Sequence, residues 1–81
     1  MKRTKHRNPF ILVADALKCK PDDLSIDSGW GHSPPEWDSF GQTVILIALE
    51  KEYGIEIDDQ EVNNFKSMAQ IIEFHQEFQK D

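Results

Sequence analysis

The fold is decided by the stretch WDSFGQTVILIALEKEYG, which occupies residues 37–54. It opens on polar residues, continues as an apolar run without proline and closes on a glycine, which is typical of a helix with defined ends. Ser39 followed by Gln42 matches the capping-box pattern, so we predict that the helix begins at Ser39. We expect it to continue to about Tyr53 and to stop at Gly54.

This predicted helix carries apolar residues on two opposite faces. At about 100° per residue, Phe40, Val44 and Ile47 fall on one side of the helical wheel. The opposite side carries a larger apolar stripe, made of Ile45, Leu46, Leu49 and Tyr53. A surface helix needs one apolar stripe to join a core, and the larger stripe is the natural choice. The smaller stripe then predicts either an exposed patch for partner proteins or a helix buried on all sides.

Two more helices are predicted, one on each side of this stretch. Asn8 as the cap and Pro9 as the first helical residue favour a helix that Pro21 would end. Ser67 and Gln70 form a second capping-box pattern, which opens a final helix. We expect that helix to carry one apolar stripe, made of Met68, Ile71, Phe74 and Phe78.

Residues 22–38 are rich in turn formers and predict a long loop. Four apolar residues are expected to pin the loop to the core: Leu24, Ile26, Trp30 and Trp37. A short helical turn is predicted at 60–64. Because no alternating strand pattern is present, the predicted fold class is all-α, a small four-helix bundle of three longer helices and one short helix.

Charge is unevenly distributed along the 81 residues. Lys2, Arg3, Lys5 and Arg7 are four of the nine basic residues, and all fifteen acidic residues follow them. This pattern predicts a basic flexible N-terminal tail at 1–8 and a single acidic domain at 9–81. An acidic body repels the phosphates of nucleic acid; it suits a partner with a basic surface or serves only solubility.

The remaining composition narrows the class of protein. No segment has the length of a membrane span, and a lone Cys19 fits a reducing compartment, so we expect a cytoplasmic protein. We expect it to act as a monomer. The histidines, His6, His32 and His75, are scattered along the chain. Neither a zinc site nor a catalytic triad with Ser39 is indicated by that spacing.

Asp38-Ser39-Phe40 opens the predicted central helix, and the segment Leu49 to Tyr53 and the acidic stretch 56–61 follow it in register. This arrangement resembles the acyl and peptidyl carrier protein family. That family opens its second helix on Asp-Ser-Leu, continues with a Leu-Glu-Glu-Glu-Phe-like segment and then turns through acidic residues into a short third helix. The resemblance covers nearly all of residues 9–78.

The resemblance implies that Ser39 receives 4′-phosphopantetheine from coenzyme A through a phosphopantetheinyl transferase. The arm would hold an acyl or aminoacyl group as a thioester, so the chain would be a stand-alone carrier and not an enzyme. Its other partners would be an acyl- or aminoacyl-activating ligase and downstream transferases or synthases. The residues expected to contact partners are Asp38, Phe40, Val44 and Ile47. A helix N-terminus also suits the phosphodiester, because free N–H groups and the helix dipole favour anions.

Three residues depart from the family pattern, and they indicate the kind of biosynthetic pathway in which the chain would act. Phe40 replaces the usual Leu, and Gly41 and Val44 stand where carriers of fatty acid synthesis often have acidic residues. After Ser39, the predicted helix carries no acidic residue before Glu50. We therefore expect recognition by apolar contacts and a specialised biosynthetic pathway instead of bulk fatty acid synthesis.

Two alternatives stay open. In the first, Ser39 is only a helix cap in an unmodified, carrier-like acidic protein-interaction module. In the second, the arm is attached to Ser28, which lies between Asp27 and Gly29 in the loop.

Overall fold

The computed structural model describes residues 6–79 and confirms an all-α fold. The three α-helices are α1 at Pro9–Leu17, α2 at Ser39–Tyr53 and α3 at Met68–Gln79. Short 3₁₀ turns lie in the two connections, at Pro21–Asp23 and Val62–Phe65. Residues 6–79 contain no β-strand, only an isolated bridge between Gly29 and Ser67. The predicted small bundle is confirmed, and its short fourth element is the second of these 3₁₀ turns, slightly later than the predicted 60–64.

The first helix begins where the sequence predicts and ends earlier. The Asn8 side chain caps α1, and Pro9 is its first residue. The helix ends at Leu17 because Lys18 adopts a left-handed conformation, with φ 60°. The prediction that Pro21 ends the helix is therefore wrong, and Pro21 instead begins the first 3₁₀ turn.

The core lies where the three helices meet. Its buried helical residues are Leu12, Val13, Ala14 and Leu17 from α1, Ile45, Leu49 and Tyr53 from α2, and Met68 and Ile71 from α3. The larger apolar stripe of α2 is thus the core face, as predicted, with Leu46 half-buried at its edge. The stripe of α3 continues beyond the core, where Phe74 and Phe78 pack edge-on against Tyr53.

The long loop touches the core at two of the four predicted positions. Leu24 and Trp37 are buried. Ile26 is 54% exposed and Trp30 is 38% exposed, so the prediction that these two side chains pin the loop is wrong. The Trp30 ring instead lies beneath the Lys66 ammonium group, 4.8 Å from it.

Backbone hydrogen bonds attach the loop to the start of α3. Gln70 N–H donates to Ser67 Oγ at 3.2 Å, so Ser67 is the cap, as predicted. The Gln70 side chain folds back and accepts the Lys66 N–H at 2.9 Å. From the loop, the Ser28 carbonyl accepts the Met68 N–H at 2.9 Å. Backbone hydrogen bonds of this kind cannot be predicted from residue types. For this reason the sequence predicts only apolar side chains as anchors of the loop.

The residues before α1 lie against α2 and α3. His6 Nδ1 is 3.2 Å from Glu52 Oε2, and Arg7 Nε–H donates to Glu52 Oε1 at 3.2 Å. The His6 ring packs against Tyr53 and Phe78, with centroid distances of 4.6 Å and 5.3 Å. Residues 1–5 of the predicted tail lie outside the described residues. In the described part of the chain, no helix is long and apolar enough to cross a membrane.

Candidate functional site

The first turn of α2 is capped by Asp38 and not by Ser39. Asp38 Oδ1 accepts the N–H of Gly41 at 2.9 Å, and the Asp38 carbonyl accepts the N–H of Gln42 at 2.8 Å. Ser39 is therefore the first helical residue. The predicted capping box of Ser39 and Gln42 is wrong, because the Gln42 side chain is buried in the core instead of folding back to the helix start.

Ser39 is exposed at the junction of the loop and α2. Its carbonyl accepts the Thr43 hydroxyl at 3.1 Å, but its own hydroxyl has no hydrogen-bond partner among residues 6–79. Within the same residues, the N–H groups of Ser39 and Phe40 have no acceptor. A free hydroxyl beside two free N–H groups at a helix N-terminus suits the attachment of an anionic phosphodiester.

The smaller apolar stripe of α2 faces outward. Phe40 is 77% exposed, Ile47 is 49% exposed and Val44 is half-buried, so the alternative of a helix buried on all sides is wrong. We call these three residues the α2 patch. A depression of about 360 Å³ is bordered by Asp38, Phe40 and Val44, whereas Ile47 lies outside it. The rest of its lining is formed by Ala16, Leu17, Lys18, Glu36 and Gly41.

A buried polar network, not predicted from the sequence, lies behind the junction. Trp37 Nε1–H donates to Gln42 Oε1 at 2.7 Å, and Gln42 Nε2–H donates to the Phe65 carbonyl at 3.0 Å. Trp37 is 1% exposed and Gln42 is 3% exposed. A signal for Gln42 was present, since on a wheel with Phe40 at zero it falls at about 200°, within the core stripe.

Gly41 allows the loop to approach α2 closely. A Cβ atom at this position would collide with the Glu36 carbonyl oxygen and lie 2.7 Å from Leu17 Cδ2. Backbone contact, and not an unusual dihedral angle, therefore requires glycine here. The segment before Ser39 rests directly on the first turn of α2.

Ser28, the second candidate for attachment, is inaccessible. Its side chain is 1% exposed, and its Oγ accepts the Ser25 N–H at 2.9 Å. Its carbonyl is bonded to the Met68 N–H. An enzyme could reach this hydroxyl only by displacing the loop from α3, so the geometry favours Ser39.

The histidines occupy separate places. His32 is exposed in the loop, and within residues 6–79 no hydrogen bond joins it to Ser39. His6 lies beside Glu52, and His75 Nδ1 is 2.7 Å from the Tyr53 hydroxyl. Among the described residues, no three His, Cys, Asp or Glu side chains gather as metal ligands do.

A larger depression, of about 660 Å³, lies between α3 and the segment that follows α2. Ten residues line it: Ile55, Glu56, Ile57, Glu61, Asn64, Phe65, Gln70, Glu73, Phe74 and Glu77. None of them belongs to the junction around Ser39. The smaller depression is therefore the one that adjoins the candidate attachment site.

Burial of His75 makes the stability of the fold depend on pH. Burial, and to a lesser degree His6, lowers the pKa of His75 below its ordinary value of 6.5, although Glu52 opposes this shift. The unfolded chain then takes up the proton at a higher pH than the folded protein does. The free energy of unfolding should fall as the pH decreases from about 7 through the window between the unfolded and folded pKa values of His75.

Chemical denaturation at a series of pH values measures this dependence. We expect His75→Gln to flatten the slope between neutral and mildly acidic pH. His32→Gln is the matched control, because His32 is exposed, and it should leave the slope unchanged. A slope that persists in His75→Gln would contradict the assignment.

Comparison with known proteins finds similarity to acyl carrier proteins. No protein-family model matches the chain. Acyl carrier proteins from Thermosynechococcus vestitus and Rickettsia bellii are 29% and 27% identical to it, covering 78% and 82% of this chain and 76% of each relative. An acyl carrier protein homolog from Mycoplasma genitalium is 27% identical, covering 78% of this chain and 79% of the relative. This similarity extends over most of the chain, and the all-α architecture supports the resemblance to acyl carrier proteins.

Proposed function

We propose that the chain is a carrier that holds an acyl or aminoacyl group as a thioester on a 4′-phosphopantetheine arm attached to Ser39. The observation that carries this proposal is the exposed Ser39 hydroxyl at the first residue of α2, beside the smaller depression, where no residue of 6–79 bonds it. In the attachment step the Ser39 oxygen attacks the phosphorus that bears the pantetheine group, and the nucleotide part of coenzyme A leaves. The transferase takes up the serine proton, so no activating base is needed beside Ser39.

The residues at the junction fit the phosphodiester that this step creates. The N–H groups of Ser39 and Phe40 have no acceptor in the described part of the chain, and they lie at the positive end of the α2 dipole. Asp38 already uses Oδ1 to cap Gly41, which leaves its second oxygen for water or a partner. The arm would supply the thiol that carries the cargo.

The α2 patch supports recognition by apolar contacts. Phe40 and Ile47 are exposed, and the first acidic residue of α2 is Glu50, three turns beyond Ser39. A partner that recognises this surface needs apolar residues more than a basic cluster. We therefore propose a specialised biosynthetic pathway, in which an acyl- or aminoacyl-activating ligase loads the thiol and transferases or synthases unload it.

Intact-mass measurement tests the attachment. The protein is coexpressed with a broad-specificity phosphopantetheinyl transferase and weighed by mass spectrometry. We expect the wild-type chain to gain the mass of one phosphopantetheine arm. A chain that gains no mass would instead be an unmodified, carrier-like interaction module.

Charge placed on the α2 patch should weaken docking without unfolding the helix. We expect Ile47→Glu to lower kcat/KM of arm transfer by roughly tenfold, because a carboxylate would lose water against an apolar partner surface. Ile26→Glu is the matched control, since Ile26 is 54% exposed in the loop and is not part of the α2 patch. Circular dichroism of both variants should match wild type. Equal losses in both variants, or a loss in neither, would contradict the role of the patch.

A further inference from the structure

We propose that Gln42 is a positioning residue for Ser39. By joining the Trp37 indole to the Phe65 carbonyl, the Gln42 amide sets where the Ser39 hydroxyl is presented to a modifying enzyme. This inference rests on the proposed attachment of the arm to Ser39.

Both ends of the Gln42 amide are engaged in the interior. Its Oε1 accepts from Trp37 Nε1 at 2.7 Å, and its Nε2 donates to the Phe65 carbonyl at 3.0 Å. Because one partner can only donate and the other can only accept, a single orientation of the amide satisfies both. A buried amide with both ends paired has a defined place, since either broken bond leaves an unpaired polar group in the core.

Trp37 passes this constraint to the backbone before Ser39. Trp37 is 1% exposed, its backbone N–H donates to the Pro34 carbonyl at 2.9 Å, and its backbone carbonyl accepts the Gly31 N–H at 3.3 Å. The ring and both backbone groups are thus held. Only Asp38 separates Trp37 from Ser39, so the position of the indole determines how the chain enters α2.

The position of the Ser39 hydroxyl is not fixed by a hydrogen bond of its own within residues 6–79. No described residue bonds it, and its side chain is exposed. Its place therefore depends on the residues before and after it, and Trp37 and Gln42 are the buried pair that spans it. Gln42 reaches Ser39 only through this packing, because its side chain is in the core while the α2 patch faces outward.

The Phe65 carbonyl extends the network to a third segment. Phe65 ends the second 3₁₀ turn, is 6% exposed and packs edge-on against Phe74 of α3, with centroids 5.2 Å apart. The amide therefore joins the loop, α2 and the turn before α3 at one point. Loss of the two Gln42 hydrogen bonds should let the segment before Ser39 shift while the helices remain formed.

Arm-transfer kinetics of Gln42→Met test the inference. Methionine keeps the approximate volume of glutamine and removes both hydrogen bonds. We expect kcat to fall roughly ten- to a hundredfold, because small errors in the position of a reacting atom are costly, and KM to stay near wild type since the α2 patch is intact. Ile71→Val is the control. It removes one buried methyl group from α3, and it should leave kcat and KM unchanged while the protein is folded. Wild-type kcat in folded Gln42→Met would overturn the inference.

The two tryptophans provide a second test that needs no functional assay. By hydrogen-exchange NMR of the wild type, the bonded Trp37 indole N–H should exchange slowly and that of Trp30, which is 38% exposed, should exchange fast. Gln42→Met should accelerate exchange at Trp37 alone. Fast exchange at both indoles in the wild type would overturn the network, even if Gln42→Met does not fold. A wild type that takes no arm would defeat the proposed function and this inference together, whereas a modified wild type with unaltered Gln42→Met kinetics defeats this inference alone.

Discussion

Replacing Trp37 with alanine is expected to lower the free energy of unfolding by about 3–5 kcal/mol. Trp37 is the largest of the fully buried side chains and is 1% exposed. Its removal leaves a cavity and also strips Gln42 Oε1 of its donor, so an unpaired polar atom is added to the lost packing. In a small domain with a total of about 5–15 kcal/mol, this change should leave an appreciable unfolded fraction.

Urea denaturation followed by circular dichroism measures the effect, and Trp30→Ala is the matched control. Trp30 is 38% exposed and lies beneath Lys66, so its loss should cost about 1 kcal/mol or less. Trp37→Phe should fall between the two variants, because it keeps most of the packing and loses the indole N–H. If Trp37→Ala were no less stable than Trp30→Ala, the proposed anchoring of the loop would be contradicted.

Gly41→Ala is expected to destabilise the protein by about 1–3 kcal/mol, although alanine is the better helix former. The added methyl group would collide with the Glu36 carbonyl oxygen and lie 2.7 Å from Leu17 Cδ2. The backbone at 36 must then move away from α2. Because this movement displaces the segment that leads to Ser39, arm transfer should slow as well.

Gly31→Ala shows how much stability is lost through backbone strain alone, without a steric collision. Gly31 has a φ of 83°, and no atom lies within 4 Å of the position a Cβ would take. This variant should lose about 1–2 kcal/mol through backbone strain alone. Its arm transfer should remain close to wild type. A Gly41→Ala protein as stable and as readily modified as wild type would contradict the close contact.

The three helices could be predicted because their signals are local. Asn8 and Pro9 start α1, and Ser67 starts α3, by bonds to residues a few positions away. The apolar spacing within α2 likewise predicts that Leu49 lies in the core, whereas it leaves Phe40 either exposed or buried. These features follow from helical geometry and need no knowledge of distant contacts.

The errors arise where distant residues compete with local signals. Asp38 and Ser39 can both cap a helix, and Gln42 could have completed a box with Ser39. In the fold, the Gln42 amide is drawn away to Phe65, 23 positions along the chain, and Asp38 becomes the cap. A buried glutamine within an apolar stripe needs its partners to be known before its role is visible.

The surroundings of Ser39 were predictable only in part. Its place at the start of α2 follows from the sequence, whereas the sequence leaves open whether Phe40 beside it is exposed. The close contact between the loop and Gly41 does not follow from the sequence, because it depends on the path of the backbone at residue 36. The exposure of Trp30 was missed for the same reason, since backbone bonds to residues near α3 hold the loop in place of its ring.

Site-resolved mass spectrometry after coexpression with a phosphopantetheinyl transferase tests the central claim most directly. Fragment masses from the wild-type chain should locate one arm on Ser39. Ser39→Ala should carry no arm, whereas Ser28→Ala should retain it, because Ser28 is 1% exposed and bonded within the loop. An arm that persists in Ser39→Ala, or that maps to any other residue of the wild type, would contradict the account.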